Sequence, residues 1–236
     1  IKGEGYFKDL ERIKESERLT ELDINRALAL SDYLVEIHKI KKEEPNLYIR
    51  KIRDTIGHGE CIMGIIDSYP EKFEFINKRL LEGIEKRCVE WRWRIKPLTH
   101  RLSQVHGDFH PWNILFRKGA DFTVLDRARG EWGEPADDIT AITINYIFFS
   151  LQKYGRLEGP FKKLFTLFWE NYLKKTGDKE VLSVVQPFYA FRGLVIASPI
   201  WYPRLKLDVR KKVFRFIERV LASKRFNYKD VSKYLI

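Results

Sequence analysis

Apolar residues recur three and four positions apart over most of this chain, and that spacing gives way to short apolar runs only near its middle. Ile24, Ala27, Leu28, Leu34 and Ile37 share one helical face behind Asp23. The spacing predicts a helix over 24–41, with Asp23 as its cap and Pro45 beyond its end. Two shorter helices are predicted over 47–56 and 61–69, joined by Gly57, His58, Gly59 and Glu60. A longer amphipathic helix is expected over 74–95, closed by Pro97. The period then changes. Residues 102–107 and 113–116 are short and apolar, 117–121 reads as a hairpin loop, and 122–126 reads as the returning strand. Helical spacing resumes over 137–154, 160–175, 181–198 and 208–224. The expected fold is therefore mainly α with one small β-hairpin in its middle, an α+β arrangement. Met63, Phe165, Trp169 and Phe191 fall at helical spacing and are expected in the core.

Composition adds limits to this picture. With 236 residues and 44% apolar residues the chain can bury a core, and it is not disordered in composition. No apolar run reaches the roughly 18 residues needed to span a bilayer. The longest, 184–202, is interrupted by Pro187, Arg192 and Pro199. No secretory-type apolar segment opens the chain. Cys61 and Cys88 are too few for a disulfide framework or a metal knuckle, which points to a reducing, cytoplasmic setting. The net charge of +11 is unevenly placed, with many bases and few acids between Arg204 and Lys233. That stretch reads as the solvated face of a terminal helix rather than a nucleic-acid surface. Neither an aromatic-interleaved strand platform nor a helix-turn-helix pattern accompanies it.

The change of period coincides with the chemistry. Residues 105–116, VHGDFHPWNILF, put Asp108 and Asn113 on a tight loop anchored by Pro111, and Asp126 ends the returning strand. A hairpin brings its two ends together, so the three side chains should converge. Two carboxylates and an amide oxygen are hard ligands that suit Mg²⁺. They do not suit zinc, because only His106 and His110 are near and no thiolate accompanies them. The carboxylate left over can orient a hydroxyl and take its proton, a division of labour found in phosphoryl transfer. The Asp-x-x-x-x-Asn spacing matches the kinase catalytic loop.

Residues 106–113, HGDFHPWN, resemble the catalytic loop of the aminoglycoside phosphotransferase and choline kinase group of small-molecule kinases. Residues 124–140 resemble that family's next segment, in which a metal-binding Asp precedes a Gly-x-Pro-x-x-Asp turn into a helix. The helix ending at 34–41 resembles the one that follows the family's hinge, and the likeness runs from residue 1 to about 150. It implies a protein-kinase-like fold, here the C-terminal lobe only. Residues 1–7 would end the inter-lobe hinge and 8–236 would form the lobe, with catalytic loop 105–116 and metal-binding segment 122–138.

The resemblance also implies roles. Asp108 would be the catalytic base, and Asn113 and Asp126 the Mg²⁺ ligands. Leu115 and Leu125 would form an apolar floor under the adenine of ATP or GTP. Asp138 would be the buried acid that holds the loop through backbone N–H groups. The acceptor would be a small molecule carrying a hydroxyl or amine. His106 is read as structural, Trp112 as packing, and His110 as loop scaffold or substrate contact. Glu131 and Asp137 are candidates to line a cationic substrate's pocket, against a solvated turn. His58 and Glu60 are candidates to face the acceptor, against a plain helix–helix turn.

Two positions depart from the pattern. Gly107 stands where protein kinases carry Arg, and the stretch after Asp126 is too short for a phosphorylation-ordered loop. Arg127 follows the metal Asp where the family often has an aromatic, placed to pair with phosphate or a nearby acid. A Gly-rich strand–turn–strand and a Val-Ala-x-Lys strand are not found, and both belong to an N-terminal β-lobe. Opening without Met on a Gly-x-Gly turn, the chain reads as a segment of a longer protein. The missing lobe is its expected partner, and without it the lobe would be nearly inactive. The alternatives are a catalytically silent kinase-like binding domain and a basic nucleic-acid-binding helical domain.

Overall fold

The structure, a computed structural model, describes residues 2–236. Its organising element is α6 (Pro135–Tyr154), whose sequence has no broad polar face and which is buried on all sides from Ala136 to Leu151 apart from Asp137. Around it pack α1 (Tyr6–Ser16), α2 (Glu21–His38), α7 (Gly159–Thr176), α8 (Val185–Ala197) and α9 (Leu207–Ala222). A second group, α3 (Pro45–Gly57), α4 (Ile62–Asp67) and α5 (Lys78–Ile95), leans on α8 and α9. The short α10 (Ser232–Leu235) closes against α9. Phe165, Trp169 and Phe191 are buried as expected, and Met63 is half-buried against the core. Among the described residues no helix is long and apolar enough to cross a membrane.

The strands exceed the single hairpin that the sequence suggests. Strands β5 (Ile114–Phe116) and β6 (Phe122–Val124) pair antiparallel, and β1 (Glu4–Gly5) adds a third strand beside β5. Two further pairs join β2 (Lys72–Phe73) to β3 (Ile76–Asn77) and β4 (Ser103–Gln104) to β7 (Trp132–Gly133). Of the segment 1–7, Glu4 and Gly5 are therefore strand, Tyr6 and Phe7 open α1, and residue 1 lies outside the described residues. The helix expected over 74–95 begins only at Lys78, because Glu74 takes a left-handed φ of +57° in the β2–β3 turn and Asn77 caps the helix.

The α2 start is shifted too. Thr20, not Asp23, is the N-cap; its hydroxyl accepts from Asp23 N–H while the Asp23 carboxylate accepts from Thr20 N–H, a reciprocal capping box. Pro187, which interrupts the apolar run in sequence, sits in the first turn of α8, where an absent N–H leaves no helical hydrogen bond unmade. The consequence for the site is placement. The loop before β5 is pressed onto the N-terminal turns of α6 and the middle of α8, and Arg129, after β6, lies over Phe191 of α8.

Candidate active site

The loop is hung from Asp138 in the first turns of α6. The fully buried Asp138 carboxylate accepts from the backbone N–H of His106 and of Gly107, both at 2.7 Å. On the other side His38 Nε2 lies 3.1 Å from it, and His38 Nδ1 lies 2.9 Å from the Tyr172 hydroxyl. The two amides force the loop to curl over the carboxylate, and Gly107 does so at φ +86°. A Cβ there would be strained by that angle and would stand 3.2 Å from Arg129 Cβ. His106 is buried; its Nδ1 accepts from Asp108 N–H at 3.3 Å, and burial lowers its pKa against the pull of Asp138 and Asp108. A neutral, loop-bracing imidazole results.

Asp108 points away from this anchor toward α8. Arg192 Nη1 donates to its Oδ1 at 2.5 Å, and Arg192 Nη2 donates to Asp137 at 2.7 Å. Arg129 Nη1 stands 3.9 Å from Asp108 Oδ1, and His110 Nε2 stands 3.5 Å from Oδ2. Burial alone would raise the Asp108 pKa. His110, Arg192 and Arg129 outweigh it and hold the carboxyl far below the ordinary carboxylate range. Asp137 shares the same guanidinium, yet burial pushes its carboxyl up more than Arg192 and Arg129 pull it down. In place of the solvated turn weighed for it, Asp137 is half-buried in an ion pair with Arg192. Replacing Arg192 with Met removes one lowering cause and leaves the burial, so the Asp108 carboxyl should titrate at a higher pH. A carbon-NMR titration of that carboxyl checks this; an unmoved resonance would remove Arg192 from the account.

The hairpin does the rest. Leu125 N–H donates to Asn113 O at 2.8 Å, so the residue after Leu125, Asp126, emerges beside Asn113. Asp126 is exposed at φ +54°, a left-handed angle uncommon outside Gly, Asn and Asp. Its Oδ1 accepts from Ala128 N–H at 3.3 Å, which leaves Oδ2 open. Asn113 Nδ2 donates to Asp108 O at 3.1 Å, so its Oδ1 remains for a cation. These are hard oxygens in the small number that Mg²⁺ takes from protein while keeping waters and phosphate oxygens, and the donor set fits that ion. The ladder pairs Ile114 with Val124 and Leu115 with Thr123. Ile114 and Phe116 are buried, while Leu115 and Leu125 share the opposite, half-exposed face with Asn113.

Glu131 is exposed and accepts from its neighbour Trp132 Nε1 at 3.0 Å. Arg127, expected to pair with phosphate or an acid, instead donates through Nε and Nη2 to the backbone carbonyl of Val105. Trp112 is 39% exposed and stacks on Phe7, so it is packed on one face only. His58 and Glu60 line a cavity of about 270 Å³ together with Lys51, Cys61, Arg129 and Asp137. On the opposite side of the loop, His110, Trp112, Asn145, Arg192, Trp201 and Tyr202 contribute to a cleft of about 360 Å³. Arg192, Arg129 and Asn145 were not singled out by the sequence. The one available signal was a lone Arg inside the apolar run 188–196, a charge that must be paired if the run is buried.

Comparison with known proteins bears on the family and the fold. The sequence model of a phosphotransferase enzyme family (APH) matches residues 16–153, more than half of the chain. Among solved structures, the amicoumacin kinase hAmiN in complex with AMP-PNP, Ca²⁺ and Ami superposes with a TM-score of 0.56 at 15% identity. That match covers 91% of this chain and 65% of the other. A Plasmodium vivax ethanolamine kinase is 18% identical over 100% of this chain and 62% of its own, with a TM-score of 0.48. Among curated proteins, a UDP-3-O-acyl-N-acetylglucosamine deacetylase of Legionella pneumophila (strain Corby) is 24% identical over 111 residues. Those residues are 45% of this chain and 36% of that protein. The chain thus spans about a third of that curated relative and under two thirds of the two solved kinases.

Proposed function

Because this chain belongs to the APH phosphotransferase enzyme family, we propose that it carries out Mg²⁺-dependent transfer of the γ-phosphoryl group of ATP or GTP to a small molecule's hydroxyl or amine. The observation that supports the reading is that Asn113 Nδ2 is bonded to the Asp108 carbonyl and Leu125 N–H to the Asn113 carbonyl, so the loop that carries Asp108 and Asn113 and the strand end that carries Asp126 are tied together. In the transfer, the acceptor oxygen or nitrogen forms a bond to the γ-phosphorus. The bond from that phosphorus to the β–γ bridging oxygen breaks, the nucleoside diphosphate leaves with the electron pair, and the acceptor's proton goes to Asp108.

The other residues have supporting parts. Asn113 and Asp126 would hold the metal, which when bound neutralises phosphate charge. With its pKa held low, Asp108 serves first to orient the acceptor, and it takes the proton late, as a loose phosphoryl-transfer transition state allows. Asp138 and His106 keep the loop curled, and Leu115 and Leu125 offer the adenine an apolar floor. In the whole enzyme, proposed to be two-lobed and cytoplasmic, a β-lobe would cover the phosphates and bring a lysine, and this lobe alone would be nearly inactive.

A silent binding domain would have no use for a proton-accepting carboxylate beside the proposed metal oxygens. The nucleic-acid reading weakens as well, since Arg210 in the basic 204–233 stretch is fully buried and donates to the carbonyl of Ala197. The experiment is calorimetry of the full-length protein with nucleotide, with and without Mg²⁺. Asp126→Ala should abolish the Mg²⁺-dependent part of binding. Unchanged Mg²⁺-dependent binding in that variant would refute the assignment.

A further inference from the structure

We infer that the acceptor is an alcohol with a flat apolar body and a second hydroxyl, bound in the cleft between the catalytic loop, α6 and α8. This rests on the phosphotransferase reading above and specifies its substrate class. Three features of the cleft carry it. Its volume of about 360 Å³ lies at the lower end of the range for small-molecule sites. Its outer wall is aromatic: Trp201 is 62% exposed and Trp112 39% exposed, with half-buried Tyr202 between the wall and the core. Large aromatic faces left in water next to a catalytic loop suit a ring stacked on them.

The second feature is a pair of unsatisfied polar atoms. Asn145 and Arg192 are 3% and 6% exposed, and both line the cleft. Asn145 Oδ1 and Arg192 Nε have no hydrogen-bond partner among the described residues, although Asn145 Nδ2 is bonded to Ala141 O at 2.7 Å. One atom needs a donor and the other an acceptor. A hydroxyl is both, whereas an ammonium can only donate and would be repelled by the guanidinium.

The third feature is charge. Among the described residues no carboxylate lines this cleft, and Arg192, which does, is paired with both Asp108 and Asp137. A polycationic acceptor would instead find Asp54 and Glu60, neither paired with Arg192, in the cavity of about 270 Å³. The cleft nevertheless reaches the chemistry. The Asp108 oxygen not bonded by Arg192 faces His110, whose ring lines the cleft. An acceptor hydroxyl entering beside His110 therefore arrives at the proton-accepting oxygen.

The test uses the full-length protein with Mg²⁺ and γ-labelled ATP. Three acceptors are offered: tyrosol, with an alcohol and a phenol on one ring; phenethyl alcohol, which lacks the phenol; and glucosamine, an aminosugar. Label should pass to tyrosol, more weakly to phenethyl alcohol, and not to glucosamine. Trp201→Ala, at an exposed position, should raise the KM for tyrosol about tenfold with a smaller change in kcat. Asn145→Leu should raise the KM for tyrosol about fivefold and leave phenethyl alcohol unaffected. Transfer to glucosamine but not tyrosol, no transfer to tyrosol despite Mg²⁺-dependent nucleotide binding, or a tyrosol KM unmoved by Trp201→Ala would each overturn the inference and leave the phosphotransferase reading standing. Loss of both nucleotide binding and transfer with every acceptor would overturn that reading, and this one with it.

Discussion

Asp108→Asn is expected to cut turnover of the full-length enzyme by roughly 10²–10⁴-fold, the usual contribution of a positioned proton acceptor. Nucleotide affinity should hardly move, because the oxygens proposed to hold the metal are those of Asn113 and Asp126 and the amide is nearly isosteric. The amide still accepts from Arg192, so the loop hung on Asp138 should keep its shape. The pH dependence supplies a second check. A group whose pKa is depressed in the folded protein is charged, and competent as a base, down to that lowered pKa. The parent should therefore keep its Asp108-dependent activity through the whole ordinary carboxylate range as pH falls. An acid limb appearing near pH 6 would mean that another group, not Asp108, takes the proton. Equal turnover in parent and Asp108→Asn would dispose of the base assignment altogether.

How far this site could be read from the sequence depended on the separation of the partners. Asp108, Asn113 and Asp126 lie on one loop and one hairpin, so the closeness of their chain segments follows from turn residues and a register that a short apolar strand fixes. The long helices were legible because their apolar faces repeat over several turns, and α6 because it is apolar almost all round. Two-residue strands such as β1 and β7 carry no period, so nothing in sequence could announce them. The first helix, α1, buries only Tyr6, Leu10 and Ile13, a sparse signal behind a Gly-x-Gly opening. Arg192 is 84 positions from Asp108, and only the folded packing of α8 against the loop reveals the pair. That pairing changes the expected chemistry: Asp108, the proposed base, would be given an ordinary carboxyl from the motif alone, whereas His110, Arg192 and Arg129 hold it charged.

Arg101→Leu is expected to destabilise the fold by about 3–5 kcal/mol, because it strands a buried acid. Glu134 is the N-cap of α6, and its carboxylate accepts from Ala136 N–H at 3.2 Å and from the Tyr48 hydroxyl at 2.7 Å. Its charge is balanced by Arg101, which donates to it through Nε and Nη2 at 2.7 to 3.1 Å and also reaches Asp178 at 2.9 Å. The side chains of Arg101 and Glu134 are 4% and 1% exposed, so little water can replace the lost guanidinium. For a chain of this size the melting temperature should fall by on the order of 10 °C. The effect should depend on pH in a definite direction. Burial would raise the Asp178 pKa, but Arg101 and the Val181 N–H together lower it. That contribution is complete above about pH 4, near the unfolded carboxyl value, and fades as pH falls through the lowered folded value. The gap in melting temperature between parent and variant should accordingly be full at neutral pH and narrow in acid. Since the turn capped by Glu134 carries Asp137 and Asp138, amide exchange at His106 and Gly107 should also quicken in the variant. A melting temperature within about 2 °C of the parent at neutral pH would show that this ion cluster does not hold the helix from which the catalytic loop hangs.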